Sequence, residues 1–128
     1  MKALFFLSLV PTVVFSFYPL IDDTIQQAVD EWIDNRHGAL AMYGHISKWD
    51  TGLVNNMRLL FHHKATFNDD ISRWKVYGDM FGMFYEASAF NQDISDCDVA
   101  IVWRMESMCL QSVCVQSRHL WVDRRQRR

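Results

Sequence analysis

A motif that returns three times governs what this chain can fold into. Ile46-Ser47-Lys48-Trp49-Asp50 recurs as Ile71-Ser72-Arg73-Trp74-Lys75 and again as Ile94-Ser95-Asp96-Cys97-Asp98. Each is followed by a methionine and aromatic run: Met57-Arg58-Leu59-Leu60-Phe61, Met80-Phe81-Gly82-Met83-Phe84, and Met105-Glu106-Ser107-Met108-Cys109. The units also close alike, with Phe67-Asn68 matched by Phe90-Asn91. The first unit is 25 residues long and the second 23. Periods of this length belong to arrays whose units cannot bury their own apolar side and use their neighbours to do so. The expectation is an α/β fold built as a short open solenoid.

The rest of the chain is read around that array. Met1-Lys2 and the apolar run Ala3–Phe15, ending at small Ser16, have the pattern of a signal peptide over residues 1–16. An uncleaved anchor is the alternative, although the run falls short of the ~20 residues a membrane span needs. Residues 17–45 are expected to form a capping helix and a linker. Ile25, Ala28, Val29, Trp32 and Ile33 recur at three and four, which predicts an amphipathic helix with Asp23 as N-cap and Gln26 completing a capping box. Asn35 to Gly38 is expected to stop that helix, with Gly38 able to take positive φ, and Trp32 to bury against the first unit. Residues 46–110 hold two complete repeats and one partial repeat, and residues 111–128 form a degenerate segment with a basic tail.

Within each repeat, Ile46–Trp49 reads as a short strand and Leu53–Phe61 as one or two helical turns with an apolar stripe. Gly82 would weaken the second such helix by about 1 kcal/mol. The second unit lacks two residues after Tyr77, which Gly78-Asp79 is expected to absorb by tightening a turn. The structural core is expected to comprise Trp32, Ile46, Trp49, Met57, Phe61, Phe67, Ile71, Trp74, Met80, Phe84, Phe90, Ile94 and Met105. Cys97 and Cys109 stand where the other units carry Trp and Phe, so each would leave a cavity.

Charge and side-chain chemistry narrow the function. Residues 17–117 carry 7 Lys or Arg against 14 Asp or Glu, whereas residues 118–128 carry 5 Arg and 1 Asp. An acidic body argues against nucleic acid, which is bound by neutralising phosphates. The tail suits an anionic surface or a frayed terminus. Three cysteines leave one thiol over, or pair between chains; Cys109 with Cys114 is one candidate disulfide, and self-association stays open. His62-His63 would diverge as neighbours and be exposed, with no carboxylate or cysteine at zinc spacing to join them. Asp69-Asp70 and Asn91-Asp93 suit turn capping more than a shallow calcium site. No nucleophile elbow and no phosphate-binding glycine loop is present. No catalytic, cofactor or metal role is expected of any residue.

The repeat resembles the BspA-type leucine-rich-repeat surface proteins, also known as a domain of unknown function of mycoplasma lipoproteins. Their consensus runs roughly Phe-Asn-Gln-Asp-Ile-Ser-x-Trp-Asp-Val-Ser-x-Val-x-x-Met-x-x-Met-Phe-x-x-Ala. Phe90-Asn91-Gln92-Asp93-Ile94-Ser95 matches it residue for residue, and Asp98-Val99, Met105 and Met108 extend the match. The resemblance covers residues 46–109. It departs at Lys75, after Tyr77, at Cys97 and Cys109, and past Leu110. It implies leucine-rich-repeat-like units in a right-handed solenoid, export to the cell surface or beyond, and protein binding or adhesion without catalytic residues.

Three classes stay in view: a non-catalytic binding or adhesion module presenting Lys48 and Arg73 to a protein or surface ligand, a structural fragment of a longer repeat protein, and an enzyme. Export is the directly checkable expectation. When the full chain is expressed in a secreting host, intact-mass measurement of the medium is expected to find a product that begins at Phe17.

Overall fold

Why the repeats stack is visible in the backbone hydrogen bonds of the computed structural model. It describes residues 18–94, Cys97 and residues 101–109; the expected signal peptide at 1–16, the expected degenerate segment at 111–128 and Cys114 lie outside these. Among the described residues no helix is long and apolar enough to cross a membrane. Two helices come first, α1 (Ile25–Asp34) and α2 (Arg36–Tyr43), then a 3-10 turn at Ile46–Lys48. Two short strands follow, β1 (Gly78–Asp79) and β2 (Val102–Arg104), which pair in parallel with an irregularity between Gly78 and Asp79.

Helix α1 turns Ile25, Ala28, Val29 and Trp32 into the core. Its N-cap is Thr24 rather than Asp23, and no side chain caps it. The Thr24 hydroxyl instead donates to the Pro19 carbonyl at 2.8 Å. The Asp22 carboxylate accepts the N–H groups of Asn55 at 2.6 Å and Asn56 at 3.0 Å, tying the lead-in to the first repeat. The helix ends within the expected stop at 35–38, at Asn35, while Gly38 itself is helical and takes no positive φ. Asn35 breaks the chain at φ −143° and ψ 67°, and its side chain accepts from the Gly38 N–H as the cap of α2. Much of the expected linker is therefore helical. Its periodicity is faint because α2 buries only Ala39 and Tyr43, a single pair four apart.

Both expected elements inside the repeat are corrected. Ile46–Trp49 is a turn, not a strand: the Trp49 N–H donates to the Ile46 carbonyl at 3.2 Å, and the same bond recurs from Trp74 to Ile71 at 3.0 Å and from Cys97 to Ile94 at 3.2 Å. The apolar pair is three residues apart, and residues i and i+3 of a 3-10 turn lie on one side. Leu53–Phe61 is not helical either. From Met57 onward the N–H groups alternate in destination. Those of Met57, Leu59, Phe61 and His63 donate to Asp79, Phe81, Met83 and Tyr85 of the next unit at 2.8–3.1 Å, while those of Leu60, His62 and Lys64 donate three residues back at 3.0–3.3 Å. Met80, Gly82 and Phe84 repeat the pattern toward Arg104, Glu106 and Met108 at 2.8–3.1 Å.

Some turn types place their third residue in the left-handed region. Leu59, Gly82 and Ser107 occupy one such position at φ 56°, 59° and 57°, and His63 and Glu86 the next at 59° and 58°. Gly82 is thus suited to a turn rather than weakening a helix. At Gly78, φ is 73° and a Cβ would lie 1.9 Å from the Asn55 carbonyl oxygen. A side chain there would keep the two units apart, and this is where the two-residue shortening is absorbed.

Side chains follow the same register. Trp49 stacks on Trp74 with centroids 5.9 Å apart, Phe61 on Phe84 at 5.4 Å and Phe67 on Phe90 at 5.6 Å, all within 16° of parallel. Within each unit the two phenylalanines stack at 4.0 Å. Ile46, Ile71, Ile94, Met57, Met80 and Trp32 are buried among them, while Met105 is only partly buried. The indole of Trp74 donates to the Ile46 carbonyl at 2.8 Å. Cys97 keeps that donor one unit later, with Sγ 4.0 Å from the Ile71 carbonyl oxygen. Cys109 is disulfide-bonded, and Cys114, the candidate partner, lies outside the described residues.

The Ile46 carbonyl also accepts from the Trp49 N–H, so it is not orphaned if the indole is lost. Trp74 is almost fully buried, so Trp74→Phe is expected to lower stability by about 2–3 kcal/mol, the worth of one net hydrogen bond together with the cavity that the smaller ring leaves. Urea denaturation would read this as a lower midpoint at unchanged slope.

Candidate functional site

The N-terminal lead-in crosses the first repeat and leaves a cleft of about 280 Å³ between them, lined by Tyr18, Pro19, Leu20, Tyr43, Lys48, Trp49, Asp50 and Leu53. Three elements build it. The 3-10 turn presents Lys48 and Trp49, α2 ends with Tyr43, and Thr24 holds the lead-in by its bond to Pro19. The aromatic wall is continuous: Tyr18 meets Tyr43 edge-on at 6.3 Å, and Tyr43 meets Trp49 at 5.7 Å. The Trp49 indole donates to the Gly44 carbonyl at 3.1 Å, which fixes that ring. Leu53 is 67% exposed and Tyr18 56%, so the rim offers apolar surface to solvent.

Charge sits at the rim. The Lys75 ammonium bridges from the next unit to Asp50 at 3.3 Å. The Gly52 N–H, and then Lys75, hold the Asp50 carboxyl below the usual carboxylate range. Burial, followed by Glu31 and Tyr18, pushes the Tyr43 phenol up, so Tyr43 is a neutral donor at physiological pH. Lys48 and Arg73 are both exposed; only Lys48 belongs to the cleft. Sequence reasoning missed Tyr18, Leu20, Tyr43 and Leu53, because three of them lie outside the repeat.

The acidic turns act as caps. The Asp69 carboxylate accepts from the Trp32 indole at 2.9 Å and pairs with Arg36 at 2.7 Å, joining the helices to the first unit. Asp70 accepts the Ser72 N–H at 2.9 Å. The Asn68 side chain accepts the Asn91 N–H at 2.8 Å across the unit boundary. The histidine pair departs from its expectation. His62 is half-buried, and Glu86 of the next unit joins the pair, with one potential ligand atom of each within 4.8 Å of the others. The signal was available: Glu86 follows His63 by the same 23 residues that separate Phe61 from Phe84.

A protein-family model described as a Mycoplasma protein of unknown function, DUF285, matches residues 24–121, about three quarters of the chain. No curated protein and no solved structure matches it.

The turn carboxylates set an acid response. Asp50 is lowered as above, and Asp70 is lowered by the Ser72 N–H and then the Ser72 hydroxyl. A depressed folded-state pKa contributes stability above the unfolded value of ~3.9 and loses it as pH falls through the folded value. The melting temperature is expected to fall below about pH 4, and the combined Asp50→Asn and Asp70→Asn variant to show a shallower acid fall.

Proposed function

The chain belongs to the DUF285 family, and from that premise we propose that it is a non-catalytic, exported repeat module of open solenoid form that binds a protein partner through the cleft beside Trp49. The occupant is an extended segment carrying an apolar side chain next to charged ones. What carries this reading is the composition of the cleft: three aromatic rings, exposed Leu53, and Lys48 and Asp50 of opposite charge at the same rim. Aromatic side chains lose little entropy on binding and dominate protein-interface energetics, and a charged rim sets register and on-rate. The N-terminal signal pattern and the resemblance to surface proteins support a partner outside the cell or on its surface.

Panning a displayed peptide library on the immobilised full chain tests the reading. Enriched peptides are expected to share an apolar residue flanked by charges. Leu53→Asp is expected to weaken them at least tenfold, and Lys48→Glu to change their charge preference. No enrichment, or enriched peptides indifferent to both substitutions, would overturn it. Leu53 is mostly exposed, so its replacement leaves the core untouched.

A further inference from the structure

We propose that His62, His63 and Glu86 form a site for a divalent transition-metal ion of the zinc class, bridging the first two repeats. Three observations carry this. The three potential ligand atoms lie within 4.8 Å of one another. The backbone that holds them is fixed: His63 and Glu86 occupy the same left-handed turn position in successive units, at φ 59° and 58°, and the His63 N–H donates to the Tyr85 carbonyl at 3.1 Å. The two imidazoles also face the same way. Their centroids are 3.7 Å apart at an inclination of 38°, with the Tyr85 ring 5.2 Å from His62 and 6.5 Å from His63. Neighbouring side chains diverge in a strand; the left-handed turn prevents that here.

The donor set selects the ion. Two imidazoles and one carboxylate, with a position left for water, are a set that zinc accepts, whereas calcium and magnesium take oxygen donors. Two donors each about 2.0–2.1 Å from a tetrahedral zinc stand roughly 3.3 Å apart. Side chains on a fixed backbone reach this by rotating inward by about 1.5 Å from the present spread. His63 Nδ1 already contacts the Glu86 carboxylate, so an ion would take the place of that direct contact. The site does not involve the cleft beside Trp49, and its failure would leave the proposed binding function standing.

Titration of the untagged, chelator-stripped full chain with Co²⁺ tests the proposal, read by visible absorption and followed by displacement with Zn²⁺. The expected result is one ion per chain, with Zn²⁺ raising the melting temperature. His63→Gln and Glu86→Gln are each expected to weaken binding at least tenfold, and the combined His37→Gln and His45→Gln variant to bind like the parent. Melting without metal confirms that each variant is folded; where His63→Gln is not, Glu86→Gln alone decides. An absence of saturable binding overturns the site, as does binding that survives Glu86→Gln in folded protein.

Discussion

Each backbone N–H from Met57 to Lys64, apart from that of Arg58, which its neighbour Asn56 accepts at 3.1 Å, goes either three residues back or across to the next unit. The rest of the structure depends on this division. A buried N–H must have a partner, and here half the partners belong to another repeat. Neither unit can satisfy its own backbone alone. Left-handed residues accompany the alternation four apart, Leu59 and His63 in the first unit and Gly82 and Glu86 in the second. Apolar side chains at Met57, Leu60 and Phe61 then share one side, although no helix puts them there.

The first unit has no preceding repeat to meet, and α1 and α2 cover it instead. Trp32 sits edge-on to Trp49 at 6.0 Å, in place of the parallel ring that a repeat would supply. Polar groups fasten the cover around its edge. Lys64 pairs with Asp30 at 2.6 Å, Asp69 takes both the Trp32 indole and Arg36, and Asp22 accepts the Asn55 and Asn56 N–H groups. The lead-in crosses the face of the first unit because of those last bonds, and the cleft is the space it does not fill.

The register of neighbouring units was legible in the sequence; the conformation within a unit was not. Offsets of 25 and 23 residues put Trp49 on Trp74 and Phe67 on Phe90. The same offsets carry Arg58 to 4.5 Å from the Phe81 ring and Asn68 to Asn91. Spacings of three and four, however, suit consecutive turns as well as a helix. What separates the two is where each N–H donates, and side-chain identity at Val54, Met57, Leu60 and Phe61 does not encode that. Left-handed Leu59 and Glu86 give no warning either, since neither is glycine or asparagine. His62 and His63 are adjacent in the chain, yet what surrounds them is Tyr85 and Glu86 of the next unit, which spacing within one unit does not encode. Three of the cleft's residues, Tyr18, Leu20 and Tyr43, come from segments without any period, and only folding brings them together.

Alternating N–H destinations also constrain how such a chain can change length. Adding or removing a whole unit preserves every donor's role, because the new unit presents the same carbonyls as the one it covers. Inserting a single residue between Met57 and His63 would exchange the roles downstream, so that lateral donors point into turns and turn donors into the neighbour. The two-residue shortening of the second unit lies ahead of that run, where Gly78 approaches the Asn55 carbonyl, and the alternation from Met80 to Phe84 is undisturbed. Insertions and deletions are accordingly admissible in the loop before each methionine and excluded after it, which makes the interval between each Ile-to-Trp turn and the methionine that follows it the part of the repeat that can vary in length.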